Sequence, residues 1–113
     1  ELQQLASKIL VEDDVMNYIV RLTATTRHPA QAGLKDIEDL ISVGASPRGS
    51  LGLLAASRAR SLLYGQPFVD PAIVKEVAHD VLRHRIILSF EAEAEEIGVE
   101  EILDRILNRI PVK

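Results

Sequence analysis

Twice in this chain a small polar residue is followed directly by proline and then by aliphatic residues at steps of three and four. Ser46-Pro47 precedes Leu51, Leu54, Ala55, Ala59 and Leu62, and Asp70-Pro71 precedes Val74, Val77, Ala78 and Val81. A serine or aspartate side chain accepts a hydrogen bond from a first-turn N–H, and proline fits the first helical position because the N–H it lacks has no intrahelical partner. The grammar therefore predicts two helix starts, and the stripes predict the buried faces. The first of these helices ends before Gly65, the second at about Arg83.

The same period appears twice more without proline. Between Asp14 and Arg27, the residues Val15, Ile19, Leu22 and Thr26 form one helical face with Tyr18 beside it, Asp13 or Asp14 is expected as N-cap, and Pro29 stops the chain. From Val99 to Arg109 the inward residues are Ile102, Leu103, Ile106 and Ile110, with Pro111 as terminator. A shorter opening helix is expected over Leu2 to Ile9. The stretch from Pro29 to Gly44 reads as a linker with one helical turn around Asp36 to Leu40. Val11 and the run Ile86 to Leu88 fall outside the helices and are expected to pair as a minimal strand bridge. The fold expected is thus all-α: a four- to five-helix bundle occupying residues 1–113 as one domain, with at most one very short strand pair.

Composition narrows the chemistry. The 113 residues hold no Cys and no Trp, with two Phe and two Tyr, so disulfides, thiolate metal sites, cysteine nucleophiles and base-stacking platforms are excluded or improbable. The net charge of −4 argues against nucleic acid as a partner, because counterion release rewards a basic face and the basic clusters here are small: Arg58 with Arg60, and Arg83-His84-Arg85. These are expected to form salt bridges to a neighbouring domain. His28, His79 and His84 lack the i, i+4 spacing of a helical zinc pair, so no metal site is expected and they read as solvated or capping residues. Glu91, Glu93, Glu95 and Glu96 alternate with alanine and read as a solvated surface. No nucleophile with a neighbouring base can be assembled. No stretch is long enough to span a membrane and no targeting signal is seen. The chain starts at Glu1 without an initiator Met, which suggests a piece of a longer protein.

The informative segment is Gly44-Ala45-Ser46-Pro47-Arg48-Gly49-Ser50. Its two glycines have the spacing of a phosphate-binding loop, but Ser50-Leu51 stands where Lys-Ser or Lys-Thr is required, so it is no Walker A motif. It does place Arg48 in the first turn of a helix whose entry Pro47 fixes. Gly49 and Ser50 leave room for another surface to approach. A planar, permanently charged guanidinium beside a helix N-terminus suits a phosphate. A plain surface arginine at a helix start fits the spacing equally well.

Five ordered segments carry a family resemblance: Asp14-Val15 leading to Tyr18-Ile19-Val20, Ala24-Thr25-Thr26-Arg27, Gly44-Ala45-Ser46-Pro47-Arg48, Val69-Asp70-Pro71, and Val81-Leu82-Arg83-His84-Arg85-Ile86. Over nearly its whole length the chain resembles the C-terminal lid domain of MoxR-type AAA+ ATPases. The resemblance implies that Arg48, introduced by Pro47, is the sensor 2 arginine, reaching from the lid to ATP held by a large domain. Tyr18 and Ile19 would lie on the adenine side of that pocket, or pack in the core. Walker A, Walker B, sensor 1 and the arginine finger belong to the large domain and are absent here, so the segment alone is expected to catalyse nothing and to need no cofactor.

For the whole protein the resemblance implies ATP and Mg2+ and a cytoplasmic ring, a homo-hexamer, acting as a chaperone-like remodelling machine. Implied partners are the large domain of the same chain, neighbouring subunits and von Willebrand factor A domain proteins. The alternative from another class is a stand-alone helical protein–protein interaction module with no nucleotide role.

Overall fold

A computed structural model describes residues 8–111. In chain order it contains α1 (Asp13–Arg27), a 3-10 turn (Pro29–Ala32), α2 (Lys35–Glu38), β1 (Ile41–Val43), α3 (Pro47–Leu63), α4 (Pro71–Leu82), a second 3-10 turn (Arg83–Arg85), β2 (Ile87–Leu88), α5 (Phe90–Ala94) and α6 (Val99–Arg109). The all-α expectation holds, with one two-stranded sheet. The expected opening helix over Leu2 to Ile9 falls mostly outside the described residues; Lys8 and Ile9 form a turn and a bend. Among the described residues no helix is long and apolar enough to cross a membrane.

Both proline-opened helices begin where the sequence places them. Ser46 Oγ accepts from the Arg48 N–H at 3.2 Å, and Asp70 Oδ1 accepts from the Ile73 N–H at 3.0 Å. At the start of α1 the capping expectation is corrected. Glu12 occupies the N-cap without a side-chain bond, while Asp13 and Asp14 lie inside the first turn, where their charge complements the helix dipole.

The core is aliphatic and continuous. Val15, Tyr18, Ile19 and Leu22 of α1 meet Leu53 of α3, Ile73, Val74, Val77, Ala78 and Leu82 of α4, and Ile102, Leu103 and Ile106 of α6. The stripes read for α1 and α6 are the buried ones. In α4, Val81 is half-buried and Leu82 takes the inner place.

The face read for α3 is wrong. Its buried line is Gly49, Leu53, Ser57 and Ser61, whereas Leu51 is 67% exposed, Ala55 and Ala59 are exposed, and Leu54 and Leu62 are half-buried. The reason is steric. α3 packs closely against α4 and α1, and the small residues Gly49, Ser57 and Ser61 on the line that also carries Leu53 let the backbones approach; a Cβ on Gly49 would already lie 3.1 Å from Ala45 Cβ and 3.4 Å from Thr23 Cγ2.

The strand pair also differs from expectation. β2 pairs antiparallel with β1, Ile41 opposite Leu88 and Val43 opposite Ile87, so the segment from Pro29 to Gly44 contributes a strand as well as a helical turn. Val11 is not in this sheet; its neighbour Leu10 forms a separate parallel bridge with Phe68. Three β-branched or aliphatic residues carry no period that could select a partner, and the choice is made by which segments the helices bring together. Ser89 extends the contact, its N–H donating to the Leu40 carbonyl at 3.0 Å and its hydroxyl to the Asp39 carbonyl at 2.6 Å. It also caps the short α5, whose Glu91 and Glu93, with Glu95 and Glu96 beyond, are exposed as the sequence suggests.

Polar ties close the bundle. His79 on α4 sits between Glu100 Oε1 at 2.9 Å and Asp104 Oδ1 at 3.0 Å of α6, and Arg83 donates to the Glu100 carboxylate. Arg60 pairs with Glu76 at 2.8 Å. Arg60 and Arg83, expected to reach a neighbouring domain, thus make ion pairs inside this one.

Candidate functional site

The turn from β1 into α3 is built on the C-terminal end of α1. Gly44 is required there: a Cβ would stand 2.4 Å from the Thr26 carbonyl oxygen and 2.7 Å from the Arg27 nitrogen, backbone atoms that cannot step aside. The next residue, Ala45, is completely buried. Its N–H donates to Thr26 Oγ1 at 2.8 Å, and its carbonyl accepts from the Arg27 guanidinium. Thr26 Oγ1 in turn donates to the Thr23 carbonyl at 2.6 Å, so both of its roles are used. Ser46 then caps, its carbonyl accepts from the Gly49 N–H at 2.8 Å, and Pro47 starts the helix.

Arg48 emerges from this scaffold exposed to solvent. Among the described residues its guanidinium has no ion pair. A cation in the first turn of a helix is mildly disfavoured by the helix dipole, and no carboxylate among the described residues pairs with it. The anchored backbone and the exposed charge are the site's two properties. The backbone below is fixed by buried bonds worth roughly 0.5–1.5 kcal/mol each net, while the side chain above is left available. Gly49, expected to make room for an outside surface, instead faces the core, and Ser50 is half-buried.

Tyr18 and Ile19 lie about two helical turns before Thr26 on α1 and are 0% and 1% exposed. Burial pushes the Tyr18 phenol above its ordinary pKa, an effect partly offset by the charge of Arg21, and its buried hydroxyl has no hydrogen-bond partner among the described residues. In this conformation neither side chain has a free surface. The anchoring roles of Thr26 and Arg27 were not read from the sequence, although Ala24-Thr25-Thr26-Arg27 stands out there as a segment; a side chain-to-backbone bond across 18 or 19 residues leaves no local signature.

Comparison with known proteins decides the family. Residues 34–106 match the model of the AAA lid domain. The chain belongs to the AAA lid domain family. This lid is 41% identical over 109 residues to the chaperone MoxR1 of Mycobacterium tuberculosis, an alignment covering 96% of the lid and 29% of that protein. It is 39% identical over 101 residues to the MoxR protein of Paracoccus denitrificans, covering 84% of the lid and 30% of the relative. A crystal structure from Cytophaga hutchinsonii, solved as that of a candidate ATPase, superposes with a TM-score of 0.93 at 36% identity, covering 96% of the lid and 33% of the solved chain. The lid thus spans about a third of the length of the proteins it matches.

Proposed function

We propose that this lid supplies Arg48 as the sensor 2 arginine to ATP bound by a large AAA+ domain of the same protein, and that the contact couples nucleotide state to lid position. One observation carries the reading: an exposed guanidinium, without an ion pair among the described residues, projects from a turn whose backbone is locked by Thr26, Arg27 and the packing of Gly44. A planar fork on a fixed base can meet terminal phosphate oxygens with charge-assisted bonds, and movement of the phosphate is passed to the whole helix. Pro47 holds the entry direction. Tyr18 and Ile19 serve from beneath, as packing that fixes α1, the helix on which the turn rests.

In this reading the Walker motifs, the Mg2+ ligands and the attacking water belong to the large domain, and phosphoryl transfer cannot run on one peripheral arginine. The lid alone hydrolyses nothing. The assembled protein is a cytoplasmic, ring-forming chaperone, homo-hexameric, with neighbouring subunits and von Willebrand factor A domain proteins as partners. Similarity to a protein named chaperone MoxR1 supports the chaperone part of this reading.

The test is an energy-transfer pair with one dye on the lid and one on the large domain of the intact protein. Replacing ADP by ATP should change transfer in the wild type and leave Arg48→Ala unchanged. A wild-type response from the variant refutes coupling through Arg48.

A further inference from the structure

A cleft of about 620 Å³ opens between the C-terminal half of α1, the 3-10 turn after it and the end of α6. Arg21 and Thr25, one turn apart on α1, and His28 at its C-cap form one wall, and Arg109 stands on the other. The lining contains no Asp or Glu, although the chain as a whole carries a net charge of −4. Its apolar part comes from small and aliphatic groups, among them Ala24, Ala32 and Ile110.

Arg109 is held in place. Its Nε donates to the Ala32 carbonyl at 2.8 Å, and its guanidinium lies against Gly33, where a Cβ would be 2.5 Å from Nη2. Gly33 also has a φ of 81°, a left-handed conformation that glycine adopts without strain. Backbone and side chain at this position therefore both favour glycine, and one effect is a guanidinium laid flat with its other N–H groups unengaged by any carboxylate among the described residues. A positioned arginine loses less freedom on binding than a mobile one.

We infer that this cleft binds an acidic peptide segment, with the positioned Arg109 meeting a carboxylate opposite the basic wall of Arg21 and His28, and the apolar part of the lining taking the short side chains beside it. Charge complementarity is the argument: three basic groups and no acidic one, in a molecule otherwise rich in acid. A nucleic acid is disfavoured, because the lining offers no Phe, Tyr or Trp platform for base stacking. The inference is independent of Arg48 and of any nucleotide.

The experiment uses the intact protein and a fluorescein-labelled hexapeptide of alternating Glu and Val, read by anisotropy at two salt concentrations, with an alternating Lys and Val peptide and a single-stranded oligonucleotide as comparisons. Saturable binding of the acidic peptide is expected, weakening as salt rises. Arg109→Glu should weaken it tenfold or more, and Arg109→Lys less. Gly33→Ala, which displaces the guanidinium without removing it, should weaken it as well. Melting curves of the variants establish that each is folded; were Arg109→Glu unfolded, Arg21→Gln and His28→Gln would carry the same expectation. Absence of binding, equal binding of the Lys peptide, tighter binding of the oligonucleotide, or wild-type affinity in folded variants overturns the proposal, and Arg109 then only complements the C-terminal end of α6.

Discussion

Thr26 Oγ1 accepts the buried Ala45 N–H at 2.8 Å, joining the last turn of α1 to the entry of α3 across 19 residues. The bond matters because Ala45 is fully buried two residues after β1 and three before Arg48, so an amide without a partner there would have no water to turn to. With the Arg27 guanidinium on the Ala45 carbonyl, both backbone groups of one residue are held by neighbouring side chains of one helix. The placement of Arg48 is therefore a property of α1 as much as of α3.

Thr26→Val keeps the shape and removes the acceptor. It should destabilise the domain by about 1–3 kcal/mol, the cost of stranding a buried donor, whereas Thr26→Ser, which retains the hydroxyl, should lose less. Chemical denaturation of both variants checks this, and equal stability for Thr26→Val and wild type would remove the bond from the account.

The register of α3 gives a sharper contrast. Leu53 is completely buried and Leu51 mostly exposed, so Leu53→Ala should cost about 2–5 kcal/mol and Leu51→Ala within about 0.5 kcal/mol of nothing. The denaturation midpoints of the two single variants decide it. A larger loss at Leu51 would restore the face that the aliphatic spacing suggests.

That face shows where the sequence stops being legible. α3 is aliphatic nearly all round, with Leu51, Leu53, Leu54, Leu62 and Leu63 on several sides, so a period of 3.6 residues supports more than one stripe. The deciding residues are small: Gly49, Ser57 and Ser61 are buried because they let helices approach, a property that no hydrophobicity scale rewards. By contrast, α6 carries Ile102, Leu103 and Ile106 against an otherwise polar surface, and its limits and inner face are both readable. The start of α3 is readable for a local reason, since Ser46 and Pro47 determine the turn between themselves. Thr26 and Arg27 act at long range. Nothing in their own neighbourhood marks them as the supports of Ala45.

On the acid side, stability should follow Glu100. Its hydrogen bond from Arg83, together with the nearby charges of Arg83 and His79, holds its carboxyl below the ordinary value. A carboxylate with a lowered folded-state pKa contributes stability that is present above its unfolded value, about 4.3, and lost as pH falls through the folded value. Melting temperature measured against pH should therefore drop more steeply below about pH 4.3 in the wild type than in Glu100→Gln. Superimposable acid limbs would mean that the exposed pair contributes nothing measurable, as many surface ion pairs do.

The central claim is that Arg48 reads ATP, and equilibrium titration of ATP into the intact protein tests it most directly. A charge-assisted bond is worth about 1.5–3 kcal/mol, so Arg48→Ala should weaken ATP binding, turnover or both by roughly ten- to a hundredfold. Arg48→Lys should recover only part of this, since an ammonium keeps the charge and loses the fork. Because Arg48 is exposed, both variants should melt as the wild type does. Wild-type ATP affinity and wild-type turnover in Arg48→Ala would contradict the account and leave Arg48 a surface arginine at the head of a helix.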